Sequence, residues 1–328
     1  MKVYYFRSTE PNFGDDLNTW IWNRLLPDRI SASDNDVLLG IGTIIGQFNS
    51  ASHRKLIFTS GVGYSPNVPD VSTPDWKVIA VRGPLTSAVL GTNQEKVVTD
   101  GAILVSQFPE FFTARHERKG VVFMPHLSAA RAVDWRPLCE AAGVGYLDPR
   151  DDQFSLLKCI GRAELVLADA MHAAIVADSL RVPWIPLSTS SETNTFKWVD
   201  WTLSMSIPYR PVNLNSTSLL QCIRTLVVTI TLQRYRLRDA SPAKVIETYQ
   251  KRARRKQIME ITPLRQLSYI CLWGYRWASN IRWLSRPRFN IEKNIALLSK
   301  LSKEPGFLSD NKVFEERVAE VRKRLVDI

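Results

Sequence analysis

Residues 161–187, GRAELVLADAMHAAIVADSLRVPWIPL, carry the stretch that decides the fold. Ala163 to Leu167 is a short apolar run suited to a strand covered on both faces. Asp169, Ala170, Met171 and His172 sit where that strand ends and a helix begins. Ala173, Ala174, Ile175, Ala177, Asp178 and Leu180 continue at helical spacing. Pro183 stops the helix, and Val182 to Leu187 enters a second strand. Strand, helix and strand in this order predict an α/β unit with a parallel sheet. In such sheets ligands bind beyond the carboxyl ends of the strands, where helix N-termini offer free N–H groups. His172 occupies that position. It either faces a ligand or only hydrogen-bonds at the start of its helix.

The same alternation extends in both directions. Lys2 to Phe6 reads as a first strand, followed by the loop Asn12-Phe13-Gly14-Asp15-Asp16, where Asp15 and Asp16 either cap the next helix or serve a site. Val37 to Leu39 leads into Gly40-Ile41-Gly42-Thr43, a glycine turn of the kind that lets main-chain N–H groups approach an anion. Without a GxGxxG spacing it does not indicate a dinucleotide. Lys55 to Thr59 and Lys77 to Val81 are further strands. The latter ends at Arg82-Gly83-Pro84, where a guanidinium either grips an anionic group or makes a structural ion pair. Lys96 to Leu104 reads as another strand end, carrying Asp100. Beyond a polar linker at 112–119, Gly120 to His126 is a strand that ends on a histidine.

Composition bounds the rest. A chain of 328 residues is long enough for two domains, and 45% hydrophobic with 23% charged residues is ordinary for a globular protein. Cys139, Cys159, Cys222 and Cys271 are scattered without a CxxC pair, which fits a reducing compartment better than a disulfide framework or a zinc site. Histidine, cysteine and carboxylate ligands do not cluster, so no metal is expected. MKVYYFRST turns polar too soon for a secretory leader, and no apolar run reaches the roughly 18 residues of a membrane span. A cytoplasmic protein is expected.

The net charge of +11 is unevenly placed: residues 221–328 hold 23 Lys and Arg against 10 Asp and Glu, whereas the first 220 hold 20 against 22. From about Leu219 helical signals dominate, and Tyr269, Trp273, Tyr275, Trp277 and Trp283 alternate with Arg276 and Arg282. Such a surface suits the inner face of an anionic membrane, but the same pattern also fits packing on the body or oligomerisation. No nucleic-acid-binding module is present.

Asn12-Phe13-Gly14-Asp15, Gly40-Ile41-Gly42-Thr43, Val81-Arg82-Gly83-Pro84, Thr99-Asp100-Gly101-Ala102, Met124-Pro125-His126 and Ala170-Met171-His172-Ala173 together resemble the polysaccharide pyruvyl transferase family. Phe196-Lys197-Trp198-Val199-Asp200-Trp201 resembles the subgroup that acts on exopolysaccharide repeat units. The resemblance spans roughly residues 1–215. It implies two Rossmann-like lobes facing a cleft in the manner of two-lobed (GT-B-like) glycosyltransferases, at 1–115 and 116–218, with a basic helical region at 219–328. The activity it implies takes a pyruvyl group from phosphoenolpyruvate and, without a cofactor, forms a ketal on a sugar of a lipid-linked oligosaccharide. His172, Asp15 and Asp100 are then the catalytic candidates. Arg82, His126, Asn12, Gly14, Gly42, Thr43, Asn194 and Lys197 are the candidate substrate contacts. The family's histidine motif often carries Arg-Leu ahead of the histidine. Here Ala170-Met171 stands instead, so any cation in that place must come from elsewhere in the chain. A two-lobed glycosyltransferase using a nucleotide sugar is the alternative.

Overall fold

A computed structural model describes residues 1–31, 36–47, 54–65, 67–231, 234–260 and 264–328. It is an α/β fold with two parallel sheets. In the first, β1 (Lys2–Tyr4), β2 (Val37–Leu39), β3 (Lys55–Phe58) and β4 (Trp76–Ala80) lie side by side in sequence order. In the second, β5 (Val121–Met124), β6 (Gly145–Tyr146), β7 (Leu165–Ala168), β8 (Trp184–Ser188) and β9 (Val212–Asn213) run in the order β6-β5-β7-β8-β9. Only the second has the strand order of a doubly wound sheet. Its order reverses between β5 and β7, and the carboxyl ends of those two strands carry His126 and Asp169 to His172. A reversal of this kind opens a crevice for ligands.

The short N-terminal helices are α1 (Phe13–Asp16) and α2 (Ile21–Leu25), and α3 (Pro84–Leu90) follows β4. Pro84 at the start and the left-handed Gly91 (φ 66°) at the end delimit α3. The strand expected at Lys96 to Leu104 is not formed. Val97 makes one isolated bridge to Val81, and Gly101–Gln107 is a 3-10 helix. Asp100 causes the change, because its carboxylate caps that helix by accepting the Ala102 amide at 3.0 Å.

The second half adds α4 (Leu127–Ala132), α5 (Arg136–Ala141), α6 (Gln153–Arg162), α7 (Met171–Ser179) and α8 (Thr195–Ser204). β7 and β8 are buried at every residue, as strands covered on both sides must be. Eight of the nine residues of α7 are buried, all but His172. One hydrophobic cluster runs from Leu38, Leu56 and Phe58 through Ala102 to Val105 into Val166 and Ala168, so the two sheets share a continuous core across α7. Trp184 of β8 packs against Trp198 and Trp201 of α8, with ring centroids 6.2 and 5.2 Å away. That buried trio fixes the rotation of α8, and each such side chain withdrawn from water contributes about 1.5–3 kcal/mol.

Helices follow to the C-terminus: α9 (Leu219–Ile230), α10 (Pro242–Glu260), α11 (Leu264–Ser279), α12 (Arg282–Ser285), α13 (Ile291–Leu301) and α14 (Asn311–Arg324). They do not stay together. Leu220 and Val227 of α9 form a small core with Tyr275 and Ala278 of α11, whereas Leu298 of α13 joins the core of the second sheet. α14 returns to the first sheet, where Arg324 donates to the carbonyls of Ile79 and Glu95.

Candidate active site

A cavity of about 540 Å³ opens where α1, the Gly42 turn, α4, α7 and α8 converge. Its walls come from both halves of the chain. Asn12, Gly14, Asp15, Thr43 and Tyr64 stand on one side, with His126, Arg131, His172, Lys197 and Arg224 opposite. Small-molecule sites typically occupy about 300–1,000 Å³, so the space suits a small anion together with part of a sugar.

Local hydrogen bonds hold the N-terminal wall. The Asn18 amide donates to the carbonyls of Asp15 and Ile41, and its oxygen accepts the Ile41 amide and the Trp22 indole N–H. This buried staple ties α1 to the Gly42 turn. The Phe13 amide donates to the Pro149 carbonyl at 2.9 Å, which fastens the same loop to the second half. Gly14 is required by contact: a Cβ there would lie 1.8 Å from His172 Nδ1. Gly42 has φ +111°, a backbone that side chains rarely tolerate.

His172 sits in the first turn of α7, whose N-terminus has no capping side chain. Its Nε2 is buried and lies 3.9 Å from Asp100 Oδ2. Neither atom has a hydrogen-bond partner among the described residues. His126 caps α4, and its Nδ1 accepts the Ser128 amide at 3.3 Å. That bond leaves the proton of the neutral ring on Nε2. The His126 amide is anchored on Asp169, which also accepts the Thr189 hydroxyl at 2.6 Å.

Lys197 enters from α8, i,i+3 from Asp200, so the two share one side of the helix. It is largely buried, its ammonium 5.6 Å from the centre of the Tyr64 ring, and none of the described carboxylates pairs with it. After burial, this charge acts on Asp15, Asp100 and both imidazoles. Burial drives both imidazoles down to about 3, and Lys197 pushes in the same direction. Burial drives Asp15 up to about 7 and Asp100 up to about 6, with Lys197 opposing both and Arg82 opposing Asp100 more strongly. Near neutral pH burial therefore keeps both imidazoles uncharged and favours the protonated form of Asp15 far more than for an ordinary carboxyl.

Several expected contacts lie elsewhere. Arg82 is 0% exposed and stands behind the cavity. Its Nε donates to Asp200 at 3.0 Å, Nη1 to Thr43 at 2.7 Å and Nη2 to the Val62 carbonyl at 3.0 Å. Asp200 also accepts the amide and hydroxyl of Thr86. With each of its three nitrogens bonded to the protein and its side chain fully buried, Arg82 braces the Thr43 wall behind the cavity. Asn194 is likewise buried; it caps α8 and donates to the Gly63 carbonyl at 3.0 Å. Asp100 reaches the cavity only through His172, and Gly42 contributes backbone behind Asp15 rather than lining.

The chain is 42% identical over 214 residues to succinoglycan biosynthesis protein ExoV of Rhizobium meliloti (strain 1021), an alignment covering 64% of this chain and 67% of that protein. The chain belongs to the polysaccharide pyruvyl transferase family. No family model and no solved structure matches it.

As a transferase of this family it departs at Ala170-Met171, where the motif often has Arg-Leu. The cavity has other cations: Lys197, and also Arg131, Arg224 and Arg276, which sequence reasoning did not place there. Arg131 is paired with Glu10 at 3.0 Å and Arg224 with Glu192 at 2.6 Å, which leaves Lys197 and Arg276 without a carboxylate partner among the described residues, and of these two only Lys197 is buried. Arg131 lies five residues after His126 on the same helix, a spacing that could have flagged it. Nothing local marks Arg224 or Arg276, which arrive from helices far along the chain.

Proposed function

We propose that this chain transfers the pyruvyl group of phosphoenolpyruvate to two hydroxyls of one sugar in a lipid-linked exopolysaccharide repeat unit, releasing phosphate. The observation that carries the reading is one cavity that brings Lys197, with no carboxylate partner among the described residues, together with Asp15, His126 and His172; burial there raises the Asp15 carboxyl and disfavours charge on both imidazoles. Phosphoenolpyruvate brings a carboxylate and a phosphate. Lys197 attracts one, and the uncapped N-terminus of α7 together with His126 Nε2–H suits the other.

The reaction adds a proton to the methylene carbon, which makes C2 an electrophile. One sugar hydroxyl adds to C2, the C–O bond to phosphate breaks, and the second hydroxyl closes the ketal. Of the two hydroxyl protons, one replaces the proton delivered to carbon and the other leaves on phosphate. Asp15 is suited to deliver the proton, because a carboxyl held near 7 is both loaded and acidic at neutral pH. His172, neutral and lining the cavity with Nδ1 beside Gly14, is suited to accept a hydroxyl proton. Asp100 then stabilises the resulting imidazolium through Nε2 and acts as a positioning residue. The bound anion favours the same charge change, since it offsets the cations that add to the effect of burial in holding His172 neutral.

In this reading the two sheets belong to two lobes that divide near residue 115, with the cavity between them and α14 crossing back to the first. The lipid-linked acceptor places the work at the inner surface of a membrane, and no organic cofactor or metal is needed. Incubation with phosphoenolpyruvate and extracted lipid-linked oligosaccharide tests it. Phosphate release is expected, with the acceptor heavier by one pyruvic acid less one water. A hexose-sized gain from a nucleotide sugar, with phosphoenolpyruvate untouched, would overturn it.

A further inference from the structure

We propose that α11 and α12 form a docking surface for an anionic lipid bilayer, and that this surface presents the cavity to the membrane. α11 is two-faced. Cys271, Leu272, Tyr275 and Ala278 turn inward onto α9. On the other side Ile270, Trp273 and Trp277 fall within one arc of the helix, and they are 66%, 71% and 64% exposed. Trp283 of α12 adds a further ring at 48%. Four large apolar side chains left in water at this density mark an interaction surface rather than a packed helix.

The chemistry of the patch selects the partner. Residues 261–291 contain five arginines and not one Asp or Glu. Arg276, Arg282, Arg286 and Arg288 are exposed on the described part of this segment, and Arg288 lies over the Trp283 ring at 4.4 Å. Tryptophan favours the boundary between headgroups and acyl chains, where its ring is apolar and its N–H is wet. Arginine beside it pairs with lipid phosphates. A protein partner would call for carboxylates facing these arginines in a defined register, whereas a fluid anionic surface needs only the unbroken positive charge found here. No described helix is long and apolar enough to cross a membrane, so the contact is peripheral.

Position connects this surface to the site. Arg276 lines the cavity, while Trp273 and Trp277 project from the same helix into solvent. A bilayer lying on α11 therefore lies beside the cavity mouth, where a lipid-borne sugar would enter. That last step rests on the proposed reaction, but the docking surface does not.

Co-sedimentation of the full chain with vesicles tests the surface without any substrate. Binding to phosphatidylcholine–phosphatidylglycerol vesicles at low salt is expected, with far weaker binding to phosphatidylcholine alone or at high salt. Trp273→Ser with Trp277→Ser should weaken binding by roughly tenfold or more. Arg282→Ser with Arg286→Ser should weaken it by roughly fivefold per arginine. All four side chains are exposed, so circular dichroism and thermal unfolding of both variants should match the parent. Absent binding to either vesicle, or tryptophan variants that bind like the parent, would overturn the proposal. So would variants whose only change is loss of a dimer by sedimentation velocity, because the face would then join two copies of this chain. Failure of pyruvyl transfer to a water-soluble acceptor would instead count against the reaction and leave vesicle binding intact.

Discussion

Arg82–Asp200 and His172–Asp100 are both pairs of a basic group and a carboxylate set deep in the protein, and they are built to opposite ends. In the first the charges meet at 3.0 Å, Thr43 and Val62 accept from the other two guanidinium nitrogens, and Thr86 donates to both carboxylate oxygens. In the second the facing atoms stand 3.9 Å apart and neither has a partner among the described residues. A satisfied pair resists any change of charge, because each group would be stranded without the other. An unsatisfied pair can still change charge, because a proton gained at His172 Nδ1 would put an imidazolium opposite the Asp100 carboxylate. The contrast separates a brace from a working group, although both motifs end a strand-like segment with a charged residue.

The largest effect is expected where the brace is broken. Arg82→Met strands Asp200 and should cost about 3–5 kcal/mol of stability, read from the urea midpoint. A stable Arg82→Met protein with only a raised KM for the proposed donor would erase the distinction. His172→Asn should lower kcat by about 10²–10⁴-fold while the thermal midpoint stays close to the parent's. Asp100→Asn should have a smaller effect on kcat and should displace the acidic limb of the pH–rate profile, which a purely structural residue would leave in place.

The gentlest test is electrostatic. Asp15 rises from an ordinary 3.8 to about 7 in the folded chain, so the folded state binds the extra proton. Its contribution to stability should therefore fall as pH rises from about 4 to about 7, then level off. Asp15→Asn removes that slope. The difference in thermal midpoint between the two proteins, followed across this range, should favour the variant increasingly toward neutral pH. The two histidines act in the opposite sense, with stability present above 6.5 and lost as pH falls toward about 3.

Much of this was legible in the chain. Residues 161–187 form the strand, helix and strand their spacing demands, and His172 stands at the cavity as its place in that unit implied. Asn12, Gly14, Asp15, Thr43, His126 and Lys197 also reach the cavity wall. Residues 96–104 misled because Asp100 turns its carboxylate on its own backbone, a local bond that competes with pairing to a neighbouring strand. Arg82 and Asn194 misled for another reason. Their side chains could serve a ligand or the protein equally well, and Asp200 and Gly63, which claim them, are 118 and 131 residues away.

What the sequence by itself determined is periodicity and chemistry. It set the apolar runs that must be buried, the glycines that let the backbone come close, and the residue types able to move a proton. Tertiary structure alone decided which charges were neutralised before any ligand arrives. Asp200 is spent on Arg82, Glu10 on Arg131 and Glu192 on Arg224, while no described carboxylate pairs with Lys197. Charge compensation depends on distance through space in a medium of low polarity, and distance in sequence carries no record of it.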